Sequence, residues 1–236
     1  MAKFYHFFLI VIPAHNEEKL IEETLSYLKQ LFYPKNKYEV IVVENGSSDA
    51  TYQKAKKYES DNFKIFTLKE AGVSRARNFG IANCSGELDW CIIMDADTFL
   101  LKNFLTELND FLDKNTDVKY GTTTILPFPS TFASRFWFWY RNWSDKLVKI
   151  MHVIHIVKKE LLHKEKYDEE LTLMEDVRYA RDLSKHGKYF FMKTKNVLTS
   201  ARRFEQKGYL RMFFLNIYYG ILPKKINKKN KWEVIR

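Results

Sequence analysis

Two aspartates separated by one residue, Asp95 and Asp97, follow directly on the apolar run Trp90-Cys91-Ile92-Ile93-Met94. Carboxylates are hard oxygen donors suited to Mg²⁺ or Mn²⁺, and an ion held there would bridge to the oxygens of a diphosphate. Such an ion offsets the charge that develops as a diphosphate departs. In an extended segment residues i and i+2 point the same way, so both side chains are expected to face one pocket. A plainer role is also open, in which the pair caps a helix beginning near Phe99. Far along the chain, Glu175-Asp176 precedes a helical pattern that carries Arg178 and Arg181. A carboxylate there suits a general base taking the proton of an attacking hydroxyl. Acidic residues in a first helical turn also offset the helix dipole without any catalytic task.

Two further polar loops read as binding surfaces. They are Pro13-Ala14-His15-Asn16-Glu17-Glu18 and Glu44-Asn45-Gly46-Ser47-Ser48-Asp49. Glu44 can accept hydrogen bonds from a base edge, and His15 can stack on a base face. The alternative is local: Asn16 and Asp49 cap the helices that follow, and Asn45-Gly46 makes a tight turn. The stretch from Ala71 to Asn78 puts arginines at a helix start, a place that favours phosphate. Arg75 and Arg77 are two apart, so only one of them faces the pocket. Gly-x-Gly-x-x-Gly and Gly-x-x-x-x-Gly-Lys-Ser/Thr loops are absent from the sequence, which disfavours dinucleotide and P-loop sites.

The elements that must position these groups follow from periodicity. Phe7 to Ile12, Val40 to Val43, Lys64 to Leu68 and Trp90 to Met94 read as short buried strands. Helical patterns run from about Glu18 to Leu31, Ala50 to Tyr58 and Ser74 to Asn83. This alternation predicts an α/β fold with a mostly parallel sheet covered on both faces. Later, Val118 to Leu126 and Lys188 to Met192 read as strands, and Met174 to Ser184 as a helix. Between them lies the aromatic stretch FASRFWFWYRNW, residues 132–143.

Length and composition bound the rest. The 236 residues suit one large domain or two small ones, and the absence of a repeat or long linker favours one. Lys and Arg number 39 against 29 Asp and Glu, a net charge of +10 that suits polyanionic partners or an anionic membrane face. The only two cysteines, Cys84 and Cys91, imply no disulfide framework and a reducing, cytosolic setting. The apolar amino terminus runs into Pro13 and Asn16-Glu17-Glu18, so it reads as a first strand rather than a signal peptide. No stretch reaches the roughly twenty apolar residues needed to cross a bilayer.

Five segments, in order, resemble the motifs of the family 2 glycosyltransferases, and the likeness spans nearly the whole chain. They are IPAHNEE, VVENGSSDAT, GVSRARNFGIANCSGE, CIIMDADTF and YDEELTLMEDVRYARDLSKHGKYFF. The resemblance implies a GT-A fold, a three-layer α/β/α arrangement around a mostly parallel mixed sheet. It implies one catalytic domain over residues 1–236, with a donor half at 1–98, an acceptor half at 99–206 and an amphipathic basic tail at 207–236. Pro13, Ala14, His15, Glu17 and Glu44 would form the nucleoside pocket, and Arg77 would sit near the donor diphosphate. Asp95, Ala96 and Asp97 would hold the nucleotide, with Asp95 and Asp97 binding Mg²⁺ or Mn²⁺ and Asp97 the closer ligand. Asp176 would be the general base of an inverting transfer, with Glu175 behind it. Thr199 to Arg203 is similar to the late segment of a non-processive subgroup, in which an arginine, here Arg202, approaches the diphosphate.

Three departures qualify the likeness. His15 stands where the family often has tyrosine, Glu44 where aspartate is usual, and no Gln-x-x-Arg-Trp follows Asp176. Transfer of a single sugar from a UDP-, GDP- or dTDP-sugar is therefore expected, rather than processive synthesis. The acceptor would be a sugar or a polyprenyl or dolichyl phosphate. Tryptophan and tyrosine in the aromatic stretch and lysines in the tail suit a membrane interface, so a peripheral place on the cytoplasmic face is expected. Core packing or an oligomer contact would use the same residues, and the oligomeric state stays open. A sugar-nucleotide nucleotidyltransferase shares such a sheet and acidic site, but it needs a glycine- and arginine-rich loop where this chain has AHNEEK. A nucleic-acid-binding module would account for charge and aromatics. The acidic motif loops oppose it, and no nucleic-acid partner is expected.

Overall fold

The computed structural model describes residues 3–171, 173–212 and 214. Strand β1 (Phe8–Ala14) is buried along its whole length. Phe8, Ile10 and Ile12 enter one apolar core, while Leu9 and Val11 enter another on the opposite face. A strand covered on both sides must be apolar at every position, so the run shows no alternation. β2 (Tyr38–Asn45) and β4 (Trp90–Met94) flank β1 in parallel, and β3 (Phe63–Leu68) continues in parallel beyond β2. Helices α1 (Ile21–Lys29), α2 (Thr51–Lys56) and α3 (Val73–Ala82) make the connections. α3 lies so close to β1 that a Cβ on Gly80 would stand 2.5 Å from Val11 Cγ1. Only glycine admits that approach.

Past β4 the sheet continues through β8 (Ile154–Lys158), β6 (Val118–Thr123) and β9 (Lys188–Met192). β8 runs antiparallel to both its neighbours, and β9 runs parallel to β6, giving seven strands in a mostly parallel mixed sheet. α1 and α4 (Phe104–Lys114) cover one face through Leu25, Leu28, Leu105 and Leu108. α3 and α7 (Glu175–Leu183) cover the other through Ala76, Tyr179 and Leu183. The result is the expected three-layer α/β/α arrangement.

A second, three-stranded sheet joins β5 (Thr98–Leu100), β10 (Val197–Ser200) and β7 (Leu126–Phe128). It corrects two expectations. Phe99 lies in a strand rather than at a helix start, so Asp95 and Asp97 cap no helix there. The strand expected from Val118 to Leu126 breaks into β6 and β7. Between them the Asn142 side chain pairs with both backbone groups of Ile125, accepting from its N–H at 3.0 Å and donating to its C=O at 2.8 Å. That amide takes the place of a neighbouring strand and lets the chain leave the large sheet.

The aromatic stretch forms helix α5 (Phe132–Val148), opened by a capping box between Thr131 and Ser134. Short helices α6 (Lys159–Leu162) and α8 (Arg202–Lys207) follow β8 and β10. Cys84 and Cys91 are both free thiols. No helix among the described residues is long and apolar enough to cross a membrane. From residue 215 onward the expected basic tail lies outside the described residues.

Candidate active site

The carboxyl ends of β1, β2 and β4 open at one edge of the large sheet, where the first turns of α3 and α7 also lie. Together with α5 they enclose a cleft of about 1280 Å³. Asp95-Ala96-Asp97 forms its floor as a turn rather than an extended segment, with Thr98 N–H donating to Asp95 O at 3.1 Å. The expectation that both carboxylates face one cleft survives, but the turn is what directs them. The turn is pinned at all three residues. Asp95 N–H donates to Val153 O at 3.3 Å, Thr24 Oγ1 donates to Ala96 O at 2.6 Å, and Ser200 N–H donates to Asp97 O at 3.1 Å.

Each aspartate stands against an arginine that also holds a glutamate. Arg77 Nη2 lies 3.5 Å from Asp95 Oδ1, and its Nη1 lies 3.0 Å from Glu175 Oε1. Arg202 Nη2 lies 3.6 Å from Asp97 Oδ2 and binds the Glu17 carboxylate. Arg75, two residues from Arg77, also lines the cleft, against the expectation that only one of the two would, but it is exposed and pairs with Glu70 and Glu169. The difference between them is set by α3, whose buried positions are Ser74, Ala76, Arg77 and Gly80.

The electrostatics follow from this crowding. Asp95 and Asp97 are each pushed up to about 6, first by desolvation at the cleft floor. Arg77 pulls Asp95 back, while Asp97 raises it further. Glu17 raises Asp97, and Arg202 opposes it. Burial also raises Glu17 and Glu175, the latter with help from Asp176. Burial alone would depress Arg77, but Glu175 and Asp95 hold it above its ordinary value. Among the described residues no three His, Cys, Asp or Glu side chains form a metal cluster. Two desolvated carboxylates on a fixed turn have the hard-oxygen chemistry of a divalent-cation site.

Pro13, His15, Glu17, Arg77, Asp97 and Arg202 line the cleft, together with Asp95, Ala96 and Asp176. Two expected residues do not. Ala14 is buried within β1, paired in register with Glu44. Glu44 is itself buried and accepts from the backbone N–H of Ser47, closing its own loop. Of the two expected helix caps, Asp49 serves α2, its Oδ1 accepting from Thr51 N–H at 3.0 Å, and its Oδ2 also accepts from Glu18 N–H at 3.3 Å. Asn16 does not cap α1, its Oδ1 accepting instead from Ser48 N–H at 2.9 Å and tying the two loops together. His15 is fixed by its Nδ1 donating to Asn45 O at 2.9 Å, with Nε2 against the Asn16 amide at 3.1 Å.

Several participants lie within the quoted motifs but had no site role assigned to them. Asn45 donates to Ala14 O and accepts from Gly72 N–H, both at 2.9 Å, joining three loops through one amide. Tyr167 stacks on Tyr179 with ring centroids 3.9 Å apart and lies 5.0 Å from the Arg77 guanidinium carbon. The Asn78 amide brackets the Tyr167 backbone, so the segment leading to Glu175 is tied to α3. Met174 then enters α7 with φ of 60°, an unfavourable value for a branched-free residue with a Cβ, and Glu175-Asp176 follow at the cleft edge. Asp176 Oδ1 accepts from Val177 N–H at 2.7 Å. The wall formed by α5, α7 and the loop before β8 adds Tyr140, Arg141, Lys149, His152 and Arg181.

Residues 9–159 match the family model described as glycosyl transferase family 2. Among curated proteins, the chain is 32% identical over 111 residues to the poly(ribitol-phosphate) beta-N-acetylglucosaminyltransferase TarS of Staphylococcus aureus, covering 46% of this chain and 19% of that one. It is 24% identical over 256 residues to the minor teichoic acid biosynthesis protein GgaA of Bacillus subtilis, covering 97% of this chain and 56% of that one. The chain thus spans from about a fifth to just over half the length of these relatives. A human dolichyl-phosphate beta-glucosyltransferase is 39% identical over 99 residues, covering 37% of this chain and 30% of that one. Among solved structures, TarS 1-349 from S. aureus with UDP-GlcNAc aligns at a TM-score of 0.69 and 19% identity, covering 94% of this chain and 69% of that one. The mannosyltransferase PcManGT from Pyrobaculum calidifontis, solved with GDP-Man and Mn²⁺, aligns at 0.64 and 20%, covering 94% and 68%.

Proposed function

Since the chain belongs to glycosyl transferase family 2 and has a GT-A fold, we propose that it is a single catalytic domain that moves one sugar from a nucleoside-diphosphate sugar to an acceptor, with inversion. The observation that carries this reading is the pinned Asp95–Asp97 turn, set against Arg77 and Arg202 with Asp176 in the same cleft. Pro13, His15 and Glu17 border the space for the nucleoside. Glu44 shapes that space from behind through its hold on Ser47 rather than by reaching a base.

Asp95 and Asp97 would hold Mg²⁺ or Mn²⁺, which supplies charge compensation for the departing diphosphate. Arg77 keeps Glu175 and Asp95 apart and oriented. Asp176 accepts the proton of an acceptor hydroxyl as the acceptor oxygen bonds to the anomeric carbon, and the carbon–oxygen bond to the diphosphate breaks with its electron pair leaving on the diphosphate. A phosphate acceptor attacks already ionised and needs no such base. The donor is a UDP-, GDP- or dTDP-sugar. A sugar-nucleotide nucleotidyltransferase is not favoured by the family to which the chain belongs.

Contact with a membrane surface is part of this reading. Phe132, Phe136, Trp139, Trp143 and Leu147 are all exposed on α5. At 3.6 residues per turn they fall within about 80° of arc. Trp137, Tyr140, Arg141 and Ser144 on the adjoining arc line the cleft. An apolar stripe beside the cleft mouth suits a lipid-linked acceptor and a peripheral position.

The test is calorimetric titration of UDP, GDP and dTDP, with and without Mn²⁺. One nucleotide should bind, more tightly with the metal, and the metal effect should vanish in Asp97→Asn. A folded protein that binds none of the three would overturn the donor assignment.

A further inference from the structure

The cations of this cleft divide into two kinds. Arg77 and Arg202 are each held between two carboxylates. Arg141, Lys149 and Arg181 line the same cleft, and none has an ion pair among the described residues. Arg141 lies on α5 one turn before Asp145, and Lys149 is the left-handed residue that ends that helix. Arg181 lies on α7, about 7.5 Å along the helix axis from Asp176 at 1.5 Å per residue.

A fourth group is built more deliberately. Asp145 is 3% exposed, and its Oδ1 lies 2.6 Å from His152 Nδ1. The Asp145 backbone carbonyl is fixed separately, accepting from Tyr189 Oη at 3.1 Å and Ile150 N–H at 3.2 Å. A buried carboxylate set against one imidazole nitrogen holds the ring in place and favours its charged form, leaving Nε2 to the cleft. Burial lowers the His152 pKa, but Asp145 and then Asp176 more than offset this and raise it. The acids facing this wall are therefore engaged or distant: Asp145 holds His152, Glu175 holds Arg77, Glu169 lies near Arg75, and Asp176 stands at the helix start.

We propose that Arg141, Lys149, His152 and Arg181 form an anion subsite for a phosphate group on the acceptor, distinct from the diphosphate site of the donor. This rests on the transferase reading for its role, but not for its existence. Cations without partners in a cleft are suited to an anionic ligand, and two arginine forks match phosphate oxygens. The shared chemistry is a phosphate ester, whether on a lipid or on a soluble polyol.

Calorimetry with farnesyl phosphate and glycerol 3-phosphate tests the site, with farnesol and glycerol as phosphate-free controls. Each probe is titrated into the protein alone and into protein saturated with nucleoside diphosphate and Mn²⁺, so that binding at the donor site is separated. The variants are the double exchange Arg141→Gln/Arg181→Gln and the control Arg135→Gln, which lies on α5 outside the cleft lining. Wild type should bind a phosphate ester in both conditions and ignore its phosphate-free counterpart. The double variant should lose roughly tenfold or more in affinity, as expected for charged hydrogen bonds, while Arg135→Gln does not. Preference for farnesyl phosphate identifies a lipid source, and preference for glycerol 3-phosphate a soluble one. Failure of both esters to bind wild type, or equal affinity in a double variant whose melting temperature shows it folded, overturns the subsite. If arginine-dependent ester binding persists but no nucleotide binds, the subsite stands and the transferase reading falls.

Discussion

The floor and the far wall of the cleft handle charge in opposite ways. On the floor four carboxylates, Glu17, Asp95, Asp97 and Glu175, surround two arginines, and every arginine is already engaged. On the far wall the cations outnumber the acids facing them, and Arg141, Lys149 and Arg181 carry no ion pair among the described residues. The first arrangement holds a surplus of negative charge in rigid form and is relieved by an incoming cation. The second is relieved by an incoming anion. Complementarity is thus readable from which groups the fold leaves unpaired, more than from the net count of +10.

The largest expected effect separates chemistry from binding. Asp176→Asn should lower the transfer rate to a hydroxyl acceptor by about 10²–10⁴-fold, with nucleotide affinity unchanged by calorimetry. A loss of less than tenfold would move the base elsewhere. Next comes a comparison within the floor itself. Arg77→Met leaves the buried Glu175 without its counter-ion and should cost about 3–5 kcal/mol in denaturant unfolding. Arg202 is half-buried at the cleft edge, so Arg202→Met should cost about 1–2 kcal/mol. Equal losses would mean that the two bridges are not the different structures described.

A pH series addresses the floor's surplus charge. Because desolvation raises Asp95 and Asp97 from 3.8 to about 6, the folded state holds their protons more tightly than the unfolded chain, and stability is highest below 3.8 and falls as pH rises through about 6. Mn²⁺ with nucleoside diphosphate should therefore raise the melting temperature more at about pH 7.5 than at about pH 5, where protons occupy the same oxygens. Equal shifts at both values would place the metal on other ligands. The smallest effect on the folded protein belongs to the far wall's outer edge. Trp139→Ser with Trp143→Ser should change stability within about 0.5 kcal/mol while reducing sedimentation with phosphatidylglycerol vesicles. Unchanged sedimentation would remove the apolar stripe from membrane contact.

The same division separates what could be read in advance from what could not. β1, β2 and β4 carry continuous apolar runs closed by turn residues, and such runs announce buried parallel strands, whereas β3, FKIFTL, is only partly buried at the sheet edge. β8 is equally buried, but it enters antiparallel from the later half of the chain. Nothing local in IHIVK names β4 as its partner. The pattern Phe104, Leu105, Leu108, Leu112 of α4 was available as a helical period, whereas β10 is too short to carry one. At the site, residue type pointed to Asp95, Asp97, Arg77 and Asp176 because loops at strand ends gather there. Side-chain direction was not available. The backbone of the second loop turns Glu44 toward Ser47, and the packing of α3 buries Arg77 while leaving Arg75 exposed, though both line the cleft. His152 gave no hint of its role, since Asp145, seven residues away in the chain, meets it only after α5 ends in a left-handed residue at Lys149.

The hydrogen bond from Asp95 N–H to Val153 O joins the donor floor to the residue next to His152. One hydrogen bond therefore links two segments that line the cleft, the Asp95–Asp97 turn on one side and the loop carrying His152 on the other. Such a joint makes the two halves mechanically dependent. Exchanges in the loop between α5 and β8 should therefore register at Asp95 as well as at His152, because the pairing of Met94 with Ile154 fixes the spacing of the two segments.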